Sequence, residues 1–186
     1  LDNCSHEYCT TYIRADLMNK IEIEQLIQQI HDEKYEKIDC IVNVAALQYT
    51  GEIHNFDDDK WDNIMNCNLK SIFKITKASF NLLIKSNCPN IINIASVHSV
   101  ATSNKIAAYA CSKAAIVGFT KNLAIELSKF NIRVNSVSPG AIDTSMLREG
   151  LTRDNNTDVL TLLENIKSKH LLGNIGTPSN VSDLVY

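Results

Sequence analysis

Short apolar runs alternate with long helical patterns in this sequence, and this alternation is the feature that most limits the possible folds. The runs 38–44, 91–95 and 132–138 have the length and apolar character of buried strands. Between them, residues 60–85 and 107–130 carry apolar side chains at helical spacing. Strands separated by helices of this length favour a parallel sheet with helices on both faces. We therefore predict an α/β fold.

Four other segments complete the predicted order of elements. The β-branched and aromatic run 10–15 predicts a strand, and residues 20–31 predict an amphipathic helix. A further helix is expected at 158–170, and Pro178 is expected to begin another. The segment 146–173 is longer and more polar than the other connections, which is typical of a loop that covers a substrate.

Composition and charge exclude several classes of protein. The 186 residues suffice for one domain with a hydrophobic core, and a net charge of −3 gives no basic surface for nucleic acid. No apolar run approaches the length that spans a membrane. The six cysteines are scattered without metal-ligand spacing, so we expect free thiols, a cytoplasmic protein and no metal site. We interpret the aspartates 57–59 as a helix-capping cluster, not as metal ligands.

Three polar residues fall where ligands bind in such a fold. Ser96 follows the run 91–95, and ligands bind just beyond the carboxyl ends of the strands in an open α/β sheet. Tyr109 and Lys113 lie one turn apart at the start of the next helix, on the same face. A lysine ammonium there would lower the tyrosine pKa from its usual value of about 10. The alternative is an ordinary tyrosine and lysine on an exposed helix face.

Short motifs occur in a fixed order along the chain, from about Asp16 to the last residue. They are Ala15-Asp16-Leu17, Asn43-Val44-Ala45-Ala46, Asn66-Cys67-Asn68-Leu69, Ile94-Ala95-Ser96, Tyr109-Ala110-Cys111-Ser112-Lys113 and Val134-Asn135-Ser136-Val137-Ser138-Pro139-Gly140, followed by Asp143-Thr144. Together they resemble the short-chain dehydrogenase/reductase family. The resemblance implies a Rossmann-type doubly wound parallel sheet in three layers, α/β/α. It also implies an oxidoreductase that interconverts a secondary alcohol and a ketone with NAD or NADP.

The resemblance implies a role for each of four residues in catalysis. Tyr109 would exchange a proton with the substrate oxygen, and Ser96 would position the carbonyl. Lys113 would lower the Tyr109 pKa and hold the nicotinamide ribose. Asn68 would distort its helix and hold a water of the proton relay, whereas the alternative is a surface asparagine.

The resemblance also implies the contacts with cofactor and substrate. Asp16 and Leu17 would lie beside the adenine, although Asp16 could also be a turn or helix-capping residue. The family usually has Asn-Asn-Ala-Gly where this chain has Asn43-Val44-Ala45-Ala46, so Val44 and Ala46 depart from the pattern. Small residues there let the cofactor approach the backbone. The other cofactor contacts are Asn43, Ala45, Tyr109, Lys113, Pro139, Gly140, Ile142 and Thr144. The substrate contacts are Ser96, Tyr109, Met146 and His98, with an ordinary loop residue as the alternative for His98.

A glycine-rich turn, which a dinucleotide fold needs at the start of a helix, is not found in the sequence. The six glycines include no Gly-x-Gly pair, and the first is Gly51. We therefore expect residues 1–186 to be an internal fragment of one NAD(P)-binding domain. It would lack the glycine-rich start, the segment that selects NAD or NADP, and the last strand.

The expected partners are a small-molecule alcohol or ketone and further copies of the chain. A 3-oxoacyl thioester, a sugar or polyol, or a steroid-like alcohol would fit, and the 3-oxoacyl-carrier-protein reductase and sugar dehydrogenase branches look most similar. The helices 60–85 and 107–130 would join a homotetramer, because each carries apolar residues on more than one face. These residues are Trp61, Phe73, Phe80, Ile116, Phe119 and Ile125. Scattered surface hydrophobic residues are the alternative, and a catalytically silent binding or scaffold protein is the rival function.

Overall fold

Three parallel strands form the centre of the structure. This is a computed structural model, which describes residues 11–32, 35–152 and 158–185. The strands lie side by side in chain order: β1, Cys40–Asn43; β2, Asn90–Ile94; β3, Arg133–Val137. Asn43 lies opposite Asn93 in the parallel register, so the chain leaves neighbouring strands at the same edge of the sheet. The predicted α/β class is confirmed.

Seven α-helices accompany the sheet in the described residues. They are α1, Lys20–Asp32; α2, Asp58–Met65; α3, Ser71–Leu83; α4, Ala107–Leu127; α5, Ser145–Thr152; α6, Val159–Lys167; α7, Pro178–Val185. The Asp57 carboxylate accepts hydrogen bonds from the backbone N–H groups of Asp59 (2.8 Å) and Lys60 (3.3 Å), so the capping interpretation of 57–59 is confirmed. Within the described ranges, no helix combines the length and the hydropathy that a membrane-spanning segment needs.

One π-helical turn, Asn66–Lys70, joins α2 to α3. The backbone N–H of Ser71 bonds to the carbonyl of Asn66, five residues back instead of four. The helix predicted at 60–85 is therefore one continuous helical segment in which a single turn is wound more widely.

Two apolar clusters hold α3 and α4 against the sheet. The larger consists of Leu83, Ile91, Leu123, Leu127, Ile132 and Val134. The smaller consists of Ile72, Ala95 and Ile116, at the carboxyl end of β2. Fully burying one side chain of this size stabilises a fold by about 1.5–3 kcal/mol. These clusters therefore fix α4 relative to β2, and this arrangement positions the site.

Helix α7 lies over the opposite face of the sheet. Successive side chains of a strand point to opposite faces, so Ile92 faces away from the larger cluster that contains Ile91. A groove of about 630 Å³ lies between Ile92, Asn135 and the α7 residues Val181 and Leu184. Helices thus cover both faces, as the three-layer prediction requires.

The strand predicted at 10–15 is not formed where the structure describes it. Residues 11–15 have no regular secondary structure, and residue 10 lies outside the described residues. A strand is stable only when a neighbour pairs with its backbone. The described sheet consists of β1, β2 and β3, and none of these strands pairs with residues 11–15.

The other differences lie at helix boundaries and in the polar segment. The helix predicted at 107–130 ends as an α-helix at Leu127 and continues as the 3₁₀ turn Ser128–Phe130. Asp158 caps α6 instead of lying within it. Helix α5 was not predicted, because its sequence is polar and contains Gly150, which disfavours a helix.

The second apolar faces predicted on the long helices are only partly present. Ile116 is fully buried in the smaller cluster, which Phe119 also contacts. Phe80 packs on the larger cluster and against the ring of Phe130, with centroids 4.9 Å apart. Ile125, by contrast, is 77% exposed, and Phe73 is about half exposed. Three of the predicted side chains therefore serve the core, because the helices pack more deeply than their sequence periodicity indicates.

Candidate active site

The carboxyl end of β2 and the first turns of α4 bring Ser96, Tyr109 and Lys113 together. Ser96 caps the 3₁₀ turn Val97–Ser99, and its hydroxyl lies close enough to Tyr109 to stabilise the phenolate and lower its pKa. The Lys113 Nζ atom is 5.5 Å from the centre of the Tyr109 ring. Tyr109 is 9% exposed and Lys113 only 2%. The alternative of an exposed tyrosine and lysine is therefore wrong.

The buried ammonium of Lys113 is held by the end of the neighbouring strand. Its Nζ atom donates a hydrogen bond of 2.7 Å to the backbone carbonyl of Ile94. An ammonium has three N–H donors, so this bond leaves capacity for a ligand. Burial penalises the charged form and lowers the pKa of Lys113 to about 8. The lysine therefore stays mostly protonated at neutral pH.

The pKa of Tyr109 is raised above its ordinary value, although the sequence predicts that Lys113 lowers it. Burial is the larger cause of the rise, and the hydrogen bond with Ser96 acts in the opposite direction. Lys113 does not reverse this rise in the Tyr109 pKa, because its ammonium bonds to the Ile94 carbonyl and not to the phenol. The protein alone therefore holds Tyr109 as a neutral phenol, which is the form that donates a proton.

Asn68 lies inside the π-helical turn and is 1% exposed, so the surface-asparagine alternative is wrong. Its side-chain oxygen accepts from the backbone N–H of Leu47 at 2.7 Å, and its amide donates to the Leu47 carbonyl at 2.9 Å. The amide also donates to the Ser112 hydroxyl at 3.0 Å, and that hydroxyl donates to the Tyr109 carbonyl. Asn68 thus joins the segment after β1 to helix α4.

A second buried amide, Asn93, was not identified from the sequence. Its side-chain oxygen accepts from the Asn43 amide at 2.8 Å, and its amide donates to the Thr120 hydroxyl at 2.9 Å. These hydrogen bonds join β1, β2 and α4 to one another. The available signal was one polar residue within an apolar strand, since a buried amide needs partners.

The turn that contains Asp16 and Leu17 precedes α1. The Asp16 carboxylate accepts from the backbone N–H of Met18 at 2.9 Å, which fits the turn alternative for this residue. The cap of α1 is Asn19, whose side chain accepts from the Ile21 N–H. The Asp16 carboxylate also acts on Cys67, where burial is the main cause of a raised thiol pKa. Asp16 therefore lies near the π-helical turn that contains Cys67 and Asn68.

The segment after β3 is hydrogen-bonded to the 3₁₀ turn Val97–Ser99. The Pro139 carbonyl accepts from the Val97 N–H at 2.9 Å. Gly140 has open space where a Cβ atom would lie, so a ligand could approach its backbone. Ile142 forms a parallel bridge with Gly176. The predicted cofactor positions of this segment therefore lie along the same edge as Ser96.

His98 lies beside Tyr109, with ring centroids 6.1 Å apart and the rings nearly perpendicular. Its Nδ1 atom and the Ser99 hydroxyl are buried, and neither has a hydrogen-bond partner in the described part of the chain. His98 therefore lies beside Tyr109 with a buried ring nitrogen, and its contact with substrate stays a prediction. Met146, the other predicted substrate residue, lies half-buried in the first turn of α5 and outside this group.

Comparison with known proteins places this geometry in a family. The model of the family described as short chain dehydrogenase matches residues 2–155. The 3-oxoacyl-[acyl-carrier-protein] reductase of Chlamydia pneumoniae is 32% identical over 176 residues, which are 92% of this chain and 66% of that protein. This chain thus spans about two thirds of the length of the curated relatives that it matches.

Two solved structures share the fold. Ligand-free aldohexose dehydrogenase from Thermoplasma acidophilum matches with a TM-score of 0.88 and 28% identity, over 93% of this chain and 68% of that one. A variant of actinorhodin polyketide ketoreductase with NADPH matches with a TM-score of 0.84 and 30% identity, over 92% and 67%. The predicted Rossmann-type fold is confirmed, and the chain belongs to the short-chain dehydrogenase/reductase family of NAD(P)-dependent oxidoreductases.

Proposed function

We propose that the protein is an NAD(P)-dependent oxidoreductase that interconverts a secondary alcohol and a ketone, with Tyr109 as the general acid and base. The observation that carries this proposal is the burial of Tyr109 and Lys113 beside Ser96 at the carboxyl end of β2. A phenol and an ammonium are costly to bury, and paired titratable groups in such a place indicate chemistry.

In the direction of reduction, Tyr109 donates its phenolic proton to the carbonyl oxygen of the substrate. The Ser96 hydroxyl hydrogen-bonds to the same oxygen and orients it. A bound NADH or NADPH would supply the hydride that the carbonyl carbon receives, and a bound NAD⁺ or NADP⁺ would accept it from the alcohol carbon in the reverse direction. The ammonium of Lys113 stabilises the phenolate that forms, and Asn68 anchors the water through which the proton is replaced.

The residues present fit a dinucleotide. Lys113 has donors left for a ribose hydroxyl, and the backbone at Gly140 is open to close approach. We assign the nicotinamide end to Tyr109 and Lys113 and the adenine end to the turn before α1. The other proposed contacts are Asp16, Leu17, Asn43, Ala45, Pro139, Gly140, Ile142 and Thr144.

The proposed substrate is a small alcohol or ketone that contacts Ser96, His98, Tyr109 and Met146. The buried, unpaired Nδ1 of His98 supports a polar group on the substrate, since such an atom lacks a partner in the described residues. The matched proteins are named for a 3-oxoacyl-[acyl-carrier-protein], an aldohexose and a polyketide. These three classes form the first panel of substrates to test.

The test is turnover by the full-length protein, followed as NAD(P)H absorbance. We expect activity with at least one substrate class. Tyr109→Phe, which loses only the hydroxyl, should reduce kcat by about 100-fold or more and leave cofactor affinity nearly intact. Tyr49→Phe is the matched control, because it keeps the ring beside Lys60. A Tyr109→Phe variant with more than about a tenth of the wild-type kcat would refute the assigned role. A protein that binds cofactor without any turnover would support the silent scaffold instead.

We also propose a cytoplasmic homotetramer joined partly through α4. The exposed face of this helix carries the small residues Ala107, Cys111, Ala114 and Gly118, followed by Lys121, Asn122 and Ile125. Small residues at helical spacing let two helices approach closely, and a two-fold axis would pair this face with its copy. The free thiols of the described cysteines support the location.

Sedimentation of the full-length protein tests the assembly. Gly118→Arg should dissociate it, whereas Gly118→Ala should not, because a Cβ atom there meets nothing within 4 Å in the monomer. A tetramer that survives Gly118→Arg would exclude this face as the interface.

A further inference from the structure

We propose that Gly176 is a positioning residue for the cofactor, which acts by holding the side chain of Ile142 in place. The inference rests on the proposed function, in which Ile142 contacts the cofactor. It adds a residue that the family resemblance did not single out, from a part of the chain that is distant in sequence from the catalytic helix.

The backbone of Gly176 forms a clasp with the segment after β3. Its N–H donates to the Ala141 carbonyl at 2.9 Å, and its carbonyl accepts from the Asp143 N–H at 2.9 Å. These two bonds flank Ile142 and form the parallel bridge between Ile142 and Gly176. Both backbone groups of Gly176 are thus used to fix one residue.

The clasp is possible because position 176 has no side chain. A Cβ atom on Gly176 would lie 2.5 Å from the Cδ1 atom of Ile142, far below a normal contact. The only described glycine with a positive φ is Gly173, so Gly176 is required for space and not for its backbone conformation. Any side chain here would push the tip of Ile142 away or break the bridge.

Ile142 is consequently held from both directions. On one side, the Pro139 carbonyl is bonded to Val97, next to Ser96. On the other side, Gly176 brackets the residue with two hydrogen bonds. The clasp also brings together the two ends of the segment that contains α5 and α6. A displacement of Ile142 is therefore expected to weaken cofactor binding more than it affects the proton transfer at Tyr109.

The experiment is a double-mutant cycle in the full-length protein, with NADH and NADPH titrated by fluorescence. Gly176→Ala should raise the cofactor Kd about tenfold, because forcing one methyl group into a filled space is unfavourable. Ile142→Val removes the Cδ1 atom that the new methyl group would meet. The double variant should therefore recover most of the lost affinity. Gly150→Ala is the control, since a Cβ atom there meets nothing within 4 Å.

Each outcome decides the matter. Wild-type affinity in Gly176→Ala would overturn the inference while the proposed function stands. A loss that Ile142→Val does not repair would mean that Gly176 acts by another route, which also overturns it. If Gly176→Ala alone does not fold, the double variant decides, and its failure to recover folding and binding counts against the role. A wild-type protein that binds neither cofactor would refute the proposed function itself, and this inference with it.

Discussion

In the core around β2 and α4, polar side chains are buried and bond between different elements, whereas the ion pair just after β3 is exposed. Lys113 bonds to a strand carbonyl and Asn68 bonds to both a loop and a helix. Asp143, by contrast, pairs with Arg148 five residues away at the surface. Tyr109, Lys113 and Asn68 are thus held in the core, whereas four of the proposed cofactor positions, Pro139, Gly140, Ile142 and Thr144, lie on the segment after β3. Changes in the first region should cost both folding and turnover, and changes in the second should alter binding.

The largest effect is expected from Lys113→Met, which keeps the chain length and removes the charge. Turnover should fall by about 100-fold or more, because the phenolate of Tyr109 loses its only nearby buried cation in the described residues. Cofactor affinity should fall as well, which separates this variant from Tyr109→Phe. Fluorescence titration and initial rates measure the two quantities. An unchanged Kd would confine Lys113 to its effect on Tyr109.

The next largest effect is expected on stability. Asn68→Ala leaves the Leu47 backbone and the Ser112 hydroxyl without their bonds, and should lower the free energy of unfolding by about 2–4 kcal/mol. Urea denaturation measures it. Asn122→Ala is the control: Asn122 lies on the exposed side of α4, and its loss should change the free energy of unfolding little. Equal losses in the two variants would break the distinction between buried and exposed amides.

A smaller effect is expected on the pH dependence of stability. Burial lowers the pKa of Lys113 from 10.5 to about 8. Between these values the unfolded chain holds a proton that the folded chain has released, so stability rises with pH. The slope should be roughly 1 kcal/mol for each pH unit above 8. The raised thiol pKa values of Cys40 and Cys67 oppose this above about pH 9, and the raised pKa of Tyr109 opposes it above about pH 10, because in each case the unfolded group ionises first.

Urea denaturation of the cofactor-free protein at about pH 7.5 and about pH 9 measures this slope below the range in which the thiols dominate. Lys113→Met should abolish the increase in stability between the two conditions. A wild-type protein whose stability does not increase over this range would show that the ammonium is not destabilised by its surroundings.

The smallest effect is expected from Arg148→Gln. The pair between Arg148 and Asp143 is exposed, and although it holds the pKa of the Asp143 carboxyl below its usual range, solvent screens such pairs strongly. The melting temperature should stay nearly the same. A large decrease in melting temperature would mean that the segment after β3 contributes to folding as much as the core region does.

The sequence predicts the parts of the fold that depend on local apolar pattern. The runs 91–95 and 132–138 identify strands to within two residues, and the spacing of Tyr109 and Lys113 correctly indicates a helix that carries both residues. The strand predicted at 10–15 fails because a strand depends on its neighbours. The Tyr109 pKa was predicted in the wrong direction because burial, which dominates it, is a property of the packed molecule. The roles of Asn93 and Gly176 depend on contacts between distant segments, which a single sequence does not reveal.

The π-helical turn between α2 and α3 also determines how this helix responds to a change in length. Each residue of an α-helix advances the side chains by about 100° around the axis. Deleting Cys67 would allow a regular α-helix to form without interruption, yet it would rotate everything before the deletion relative to everything after it. Ile64 and Ile72 are both buried, so the rotation would turn one of them out of the core. The extra residue of the π-helical turn thus lets Ile64 before it and Ile72 after it both lie in the core. A deletion that restores ideal helical geometry should therefore be more harmful than many substitutions at the same place.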